Sequence, residues 1–251
     1  MKQAGYGFIL TMQFLTRVPM PIQADWNKTS ARWALRFYPL IGLLIGLPAA
    51  ALAAQTITSS AVTAALILTY FIWISGALHL DGWMDTFDAI GSNAPLERKW
   101  EIMQDPRVGS FGMVSVIVLL LWKLILIHEL LSADISPWLF LLVPAAGRMT
   151  AVYLLVFTKT AHSDGLAAVW KQYTKPADAW IAALPLAAVC IAAGTPGVLA
   201  GLALVLFCAG IRSWYLKQFR GINGDLAGAS IEGGELWILT TLFIWTLFVM
   251  A

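Results

Sequence analysis

Charged residues are scarce in this chain of 251 residues. Lys, Arg, Asp and Glu together make up 12% of the sequence, whereas hydrophobic residues make up 59%. Soluble globular domains carry about 25% charged and about 45–50% apolar residues. The scarcity of charge excludes an ordinary soluble domain, because a solvated surface needs more charge than the chain contains. It predicts a protein that lies in a membrane.

Cysteine is also scarce, and neither sign of charge is in large excess. The two cysteines, Cys190 and Cys208, lie within apolar runs, where buried thiols usually serve as small packing residues. We therefore predict neither a disulfide nor a cysteine metal site. The net charge of +2 does not indicate the basic surface that nucleic-acid binding requires, and no nucleic-acid partner is expected.

The N-terminal segment lacks the pattern of a cleavable signal peptide. Residues 4–15 are apolar but few, and TRVPMP follows where a small-residue cleavage site would be expected. We expect an interfacial or re-entrant helix over 3–16, within an N-terminal interfacial segment that covers 1–32.

Apolar residues occur in blocks long enough to cross a bilayer, which takes about 20 residues with a range of about 17–25. About seven blocks meet this length, and the fifth and seventh are the shortest. We predict an all-α, polytopic membrane protein with a single membrane-embedded domain over 1–251. The predicted spans are 33–54, 61–80, 112–131, 138–157, 179–195, 198–216 and 236–251.

The basic residues predict how the chain is oriented. The connections at 55–60, 132–137 and 194–197 contain no Lys or Arg, whereas the N-terminal segment and the alternate connections contain most of them. Lys and Arg are enriched on the cytoplasmic side of membrane proteins. We therefore expect the N-terminus in the cytoplasm, together with two polar loops at 81–111 and 217–235.

The run LHLDGWMDTFDAIG, residues 78–91, contains three aspartates at helical spacing. Asp81, Asp85 and Asp88 stand at i, i+4 and i+7, so a helix presents them on one face. Carboxylates this close repel one another at neutral pH unless a cation neutralises them. Mg²⁺ is held by carboxylates, water and phosphate oxygens. The motif therefore predicts a site for metal-assisted phosphate chemistry at the membrane surface.

Two features near the aspartates each have a functional and a structural interpretation. His79 is a candidate general base or phosphate ligand, or else a structural hydrogen-bonding residue. In PRVGSFG, residues 106–112, backbone N–H groups near a glycine and a helix N-terminus favour an anion. Arg107 within it is a candidate phosphate clamp, or else a positive anchor beside the membrane.

A second polar segment, RGINGDLAGASIEGGE at 220–235, contains two further acids. Asp225 and Glu232 can supply oxygen ligands, or one can act as a base, although Asn-Gly-Asp also forms ordinary turns. Arg148 falls inside the fourth predicted span. A buried charge there needs a partner, which is either a carboxylate or a substrate phosphate.

Together these motifs resemble the cobalamin synthase family, the adenosylcobinamide-GDP ribazoletransferases of cobamide assembly. The resemblance covers nearly the whole chain. It lies in FLTRVPMP (14–21), YPLIGLLIG (38–46), LHLDGWMDTFDAIG (78–91), DPRVGSFG (105–112) and GDLAGASIEGGE (224–235).

The resemblance implies a catalytic domain in the bacterial inner membrane that uses Mg²⁺ and works on the cytoplasmic face. Its substrates would be adenosylcobinamide-GDP and α-ribazole or the 5′-phosphate of α-ribazole. A ribose hydroxyl would attack the corrinoid-side phosphorus, and GMP would leave. Membrane lipid and other cobamide-assembly enzymes are the further partners it suggests.

The resemblance also suggests roles for the candidate residues. Four aspartates are the expected metal ligands: Asp81, Asp85, Asp88 and Asp225. One of two residues is the expected proton acceptor: His79 or Glu232. Three arginines are the expected phosphate contacts: Arg17, Arg107 and Arg148.

Two other classes of membrane protein share parts of this pattern. CDP-alcohol phosphotransferases also displace a nucleoside monophosphate, but their acidic motif is longer, with an Ala-Arg pair and wider spacing. An ion-coupled carrier would place ionisable groups near the bilayer midplane and often shows repeated halves. Here the acids concentrate at 81–105 and 225–235, and no internal repeat is visible.

Overall fold

The computed structural model describes residues 2–163 and 165–249, and helices form almost all of this part of the chain. A 3₁₀ turn, Pro137–Leu141, precedes α7. Residues 160 and 222 form an isolated parallel bridge between two connections. The α-helices are α1 Lys2–Leu15, α2 Lys28–Ala54, α3 Ser60–Ser75, α4 Leu78–Gly91, α5 Leu96–Met103, α6 Ser110–Ser132, α7 Leu142–Phe157, α8 Leu166–Tyr173, α9 Pro176–Ala192, α10 Gly194–Phe219 and α11 Gly224–Val249.

The chain has the architecture of a polytopic membrane protein. Five segments are long and apolar enough to cross a bilayer alone: α2, α6, the 3₁₀ turn with α7, α10 and α11. Two bent pairs, α3 with α4 and α8 with α9, raise the number to seven if each pair counts as one span. The prediction of an all-α protein with several spans is confirmed.

The second predicted span, 61–80, is wrong at its end. Helix α3 stops at Ser75, and Gly76 and Ala77 both adopt the left-handed conformation, with φ of +64° and +61°. The chain turns by 89° there, so α4 runs across the direction of α3 instead of extending it. Apolar sequence continues through this bend, which is why hydropathy alone did not locate it.

The predicted loops at 81–111 and 217–235 are largely helical. Helices α4 and α5 occupy much of the first, and α11 begins at Gly224, well before the seventh predicted span at 236–251. Residues 250–251 of that span lie outside the described residues. The side chain of Asn223 starts α11 by accepting a hydrogen bond from the Leu226 N–H at 2.9 Å. The polar sequence that suggested a loop is instead the first half of a packed helix.

Small residues allow the central helices α2, α7 and α11 to approach closely. A Cβ at Gly42 would lie 2.5 Å from the Ala145 Cα, and a Cβ at Gly147 would lie 2.6 Å from the Ile231 carbonyl oxygen. Side chains larger than glycine would therefore separate these helices. The N-terminal helix α1, expected at 3–16, packs against α2 through Gly7. The resulting bundle holds α4 and the start of α11 side by side.

Candidate active site

Helix α4 carries the three aspartates predicted from their spacing, and it packs against the start of α11. Gly82 lies between the first two aspartates, and a Cβ on it would stand 2.5 Å from the Asp225 carbonyl oxygen. One turn further along α11, Gly228 faces the Cα of His79. The two separate polar motifs of the sequence therefore meet at one helix crossing.

The aspartates at this crossing have no neutralising cation nearby. No Lys, Arg or His of the described residues forms an ion pair with Asp81, Asp85, Asp88 or Asp225. Burial, followed by the charges of Asp81, Asp225 and Asp88, raises the pKa of Asp85 to about 7. A bound divalent cation would relieve this repulsion.

The donor set suits Mg²⁺ completed by substrate oxygens. Within the described residues, no three His, Cys, Asp or Glu side chains are arranged to hold a metal ion as they stand. Mg²⁺ is usually bound by one or two carboxylates, with water and substrate phosphates completing the octahedron. A partial carboxylate set that is finished by a diphosphate is therefore compatible with what this ion requires.

Asp88 has a structural function that the sequence did not reveal. Its Oδ2 accepts a hydrogen bond from the Gly109 N–H at 2.7 Å, and its Oδ1 accepts one from the Gly112 N–H at 2.8 Å. The carboxylate thus lies at the N-terminus of α6, where the helix dipole favours a negative charge. Two of the backbone N–H groups of 106–112, where a phosphate site was predicted, are therefore bonded to Asp88 in this structure.

Arg107 lies at the surface and is paired locally. Its guanidinium forms a bidentate contact with the Asp105 carboxylate, at 2.9 and 2.6 Å, and the side chain is 86% exposed. These hydrogen bonds lower the pKa of Asp105 to about 2. The pair is open to solvent, so an incoming phosphate can compete for the guanidinium.

Arg17 lies beside the bend that leads into α4. Its backbone N–H donates to the Ile74 carbonyl oxygen at 2.8 Å, and its side chain lies over Gly76. A Cβ at Gly76 would stand 2.3 Å from the Arg17 Nε. Glycine suits this position because of its positive φ, and the absence of a side chain leaves room for Arg17.

Arg148 and Glu232, two of the predicted site residues, belong to a buried ion network between α6, α7 and α11. Lys123 Nζ donates to Glu232 at 2.5 Å and to Glu235 at 2.7 Å, and Arg148 also pairs with Glu235. All four side chains are buried. Arg148 thus has a carboxylate partner, the structural alternative left open by the sequence.

Sequence analysis did not single out Lys123 or Glu235. A signal was present, because Glu232 and Glu235 stand at i and i+3 and would share a helix face. That signal was lost when 220–235 was assigned to a loop. Of the positive charges inside the predicted spans, Lys123 and Arg148 also required carboxylate partners.

His79 lies in the first turn of α4 rather than at the end of a span. It is 3% exposed, and its Nδ1 has no hydrogen-bond partner. The buried Nδ1 therefore leaves one hydrogen-bonding position of the ring open.

Comparison with known proteins identifies relatives over nearly the full chain. The family model described as cobalamin-5-phosphate synthase matches residues 7–243. The chain is 40% identical to the adenosylcobinamide-GDP ribazoletransferase of Geobacillus kaustophilus (strain HTA426), with 94% of this chain and 95% of the relative covered. A relative with the same name from Pseudomonas paraeruginosa (strain DSM 24068 / PA7) is 34% identical, with 96% and 99% covered. No solved structure matches the chain.

Proposed function

The chain belongs to the cobalamin-5-phosphate synthase family, and from this premise we propose that it transfers α-ribazole, or its 5′-phosphate, to adenosylcobinamide-GDP. The resemblance inferred from the motifs is confirmed. The chain is thus an enzyme of cobalamin nucleotide-loop assembly, and the alternatives of a CDP-alcohol phosphotransferase and of a carrier receive no support. The observation that carries the assignment is the family match over 7–243, which includes both aspartate motifs.

We place the reaction at the crossing of α4 and α11. A ribose hydroxyl oxygen of α-ribazole attacks the corrinoid-side phosphorus and forms a new phosphoester bond. The bond from that phosphorus to the bridging oxygen breaks, GMP leaves with the electron pair, and the hydroxyl proton passes to a base. Holding both substrates in line makes this attack effectively intramolecular.

The four aspartates are the proposed magnesium ligands: Asp81, Asp85, Asp88 and Asp225. When bound, Mg²⁺ neutralises the diphosphate and the charge that develops on the departing GMP. Asp81 is exposed and Asp85 and Asp225 are partly exposed, so a diphosphate can reach them. Asp88 contributes mainly by fixing the start of α6 against α4.

The remaining candidates differ in how free they are to act. Arg17 and Arg107 are exposed near the two ends of α4 and are our preferred phosphate contacts. Arg148 is committed to Glu235, and Glu232 is committed to Lys123, which favours a structural role for both. Proton transfer from the hydroxyl then falls to His79 or to water.

We also propose that the site faces the cytoplasm from the bacterial plasma membrane. The support is the distribution of Lys and Arg, which are missing from 55–60, 132–137 and 194–197. Both substrates are too polar to enter the bilayer core, so an active face on the cytoplasmic side gives them direct access. Other cobamide-assembly enzymes are candidate neighbours at that face.

The proposed function is tested with the purified protein in detergent or nanodiscs. The protein is incubated with adenosylcobinamide-GDP, α-ribazole and Mg²⁺, and the products are separated by chromatography. We expect GMP and adenosylcobalamin in equal amounts, and neither product when α-ribazole is omitted. Folded protein that forms no product with either α-ribazole or its 5′-phosphate would refute the assignment.

A further inference from the structure

A pocket of about 280 Å³ lies beside Asp225 and leads into the helix bundle. Of the residues that line it, Leu78 and Gly224 are exposed, whereas Leu155 and Ile231 are buried. The pocket therefore connects the exposed face that carries the aspartates with an apolar interior. None of the sequence motifs predicted it, because helices α1, α2, α4, α7, α8 and α11 each contribute only part of its wall.

Aromatic side chains form one wall of this pocket, which we call the aromatic pocket. Trp170 is central: its ring lies 6.0 Å from that of Phe14 and 5.9 Å from that of Tyr38, both in edge-to-face geometry. All three residues line the pocket. Such rings offer faces and edges on which a flat aromatic group packs well.

The aromatic pocket also contains a buried polar atom that forms no hydrogen bond with the described residues. His79 lines it, and its buried Nδ1 has no hydrogen-bond partner. An unpartnered buried polar atom costs free energy, which a ligand that supplies the partner would recover. The pocket thus combines a largely apolar, aromatic lining with the polar atoms of His79, Tyr38, Trp170 and Asp225.

On the basis of the proposed function, we infer that the aromatic pocket binds the benzimidazole base of α-ribazole and leaves its ribose beside Asp225. The base is flat, mostly apolar and has one bare ring nitrogen, to which the imidazole of His79 can donate a hydrogen bond. This gives His79 a role in binding and leaves water to accept the hydroxyl proton.

The other parts of the two substrates fit the aromatic pocket poorly. Ligand pockets usually measure about 300–1,000 Å³, so this one suits a small planar group and is too small for a corrin macrocycle. Guanine is flat as well, but it carries several hydrogen-bonding groups on its edges. Ten of the fourteen residues that line the pocket have no polar side-chain atom, so several of those groups would lack a partner.

The inference is tested by filling the pocket from a position remote from the aspartates. Ala167 lies on α8, is 4% exposed and lines the pocket. Ala168, the next residue, is 6% exposed and does not line it, so Ala168→Leu is a matched control for overpacking of α8. Two acceptors are compared: α-ribazole and α-ribosylimidazole, which has the same ribose but lacks the fused benzo ring.

We expect Ala167→Leu to lower kcat/KM for α-ribazole by about tenfold or more, the usual effect of a size change in an apolar pocket. The loss with α-ribosylimidazole should be smaller, and the KM for adenosylcobinamide-GDP should stay near the wild-type value. Ala168→Leu should change neither acceptor preference nor KM. If Ala167→Leu does not fold, Gly228→Ala adds one methyl group to the same pocket and should shift the preference in the same direction.

The possible failures are distinguishable. Wild-type protein that forms no GMP refutes the proposed function itself. If the wild type is active, three results would refute the pocket assignment alone. Ala167→Leu could lower kcat/KM equally for both acceptors, could behave like Ala168→Leu, or could raise the KM for adenosylcobinamide-GDP instead. Calorimetric titration with α-ribazole provides a readout independent of turnover, and we expect weaker binding to Ala167→Leu than to Ala168→Leu.

Discussion

Replacing Asp88 by alanine should destabilise the protein, whereas the same change at Asp81 should not. Both residues are predicted metal ligands on one helix face. They differ because the Asp88 carboxylate accepts hydrogen bonds from the Gly109 and Gly112 N–H groups, at 2.7 and 2.8 Å. Asp81 is exposed and makes no ion pair with the described residues. The two roles of Asp88 can therefore be separated by experiment.

The size of the effect follows from what the N-terminus of α6 would lose. A hydrogen bond to a charged group contributes about 1.5–3 kcal/mol, and removal of a helix N-cap costs about 0.5–2 kcal/mol. Asp88 is only partly buried, so water replaces part of what is lost. We expect the free energy of unfolding to fall by about 2–3 kcal/mol in Asp88→Ala and by less than about 0.5 kcal/mol in Asp81→Ala.

The assay is thermal unfolding in one detergent, followed by intrinsic fluorescence, with GMP release measured on the same samples. A loss of this size corresponds to a fall in Tm of about 4–12 °C for a chain of this length. Both variants should lose activity, but only Asp88→Ala should lose stability. An Asp88→Ala protein that melts with the wild type, or an Asp81→Ala protein that melts equally early, would refute the capping role.

Three further predictions test the packing, the ion network and the charge of the site. Gly82→Ala should reduce the rate of GMP release by about tenfold or more, because its Cβ would stand 2.5 Å from the Asp225 carbonyl oxygen. Gly5→Ala is the control, since a Cβ there meets nothing within 4 Å. Glu235→Leu removes one carboxylate partner from each of two buried cations, Lys123 and Arg148, and should lower the free energy of unfolding by about 3–5 kcal/mol. The measurement is the yield of folded protein in size-exclusion chromatography, and an unchanged yield and Tm would contradict the prediction. The pKa of Asp85 is raised to about 7, so protons should compete with Mg²⁺ for its carboxylate as the pH falls from 8 to 6. The Mg²⁺ concentration for half-maximal activity should therefore rise over that range, and a requirement that is constant with pH would count against Asp85 as a ligand.

The sequence was sufficient for the class of fold and for the aspartate helix. Long apolar blocks predict spans because a bilayer leaves the backbone few alternatives to helix. The spacing of Asp81, Asp85 and Asp88 predicts a shared helix face from geometry alone. Both predictions depend on local periodicity, which a single sequence displays directly.

The features that sequence analysis missed depend on which helices become neighbours. The bend at Gly76 and Ala77 lies within continuous apolar sequence, so hydropathy does not mark it. The start of α11 was assigned to a loop because its glycines and acids are typical of loops, yet those glycines are what allow it to pack against α4 and α7. The partners of Lys123 and Glu235 are likewise set by tertiary contacts between distant segments.

The most direct test of the account is the Mg²⁺ dependence of GMP release by the wild type, Asp81→Asn and Asp134→Asn. Asp134 lies far from α4 in sequence and has a left-handed backbone, with φ of +50°, that asparagine tolerates. We predict that the wild type and Asp134→Asn release GMP only with Mg²⁺, and that Asp81→Asn keeps the wild-type Tm but loses at least about 100-fold in rate. Full activity of Asp81→Asn, or metal-independent release by the wild type, would contradict a magnesium site on α4.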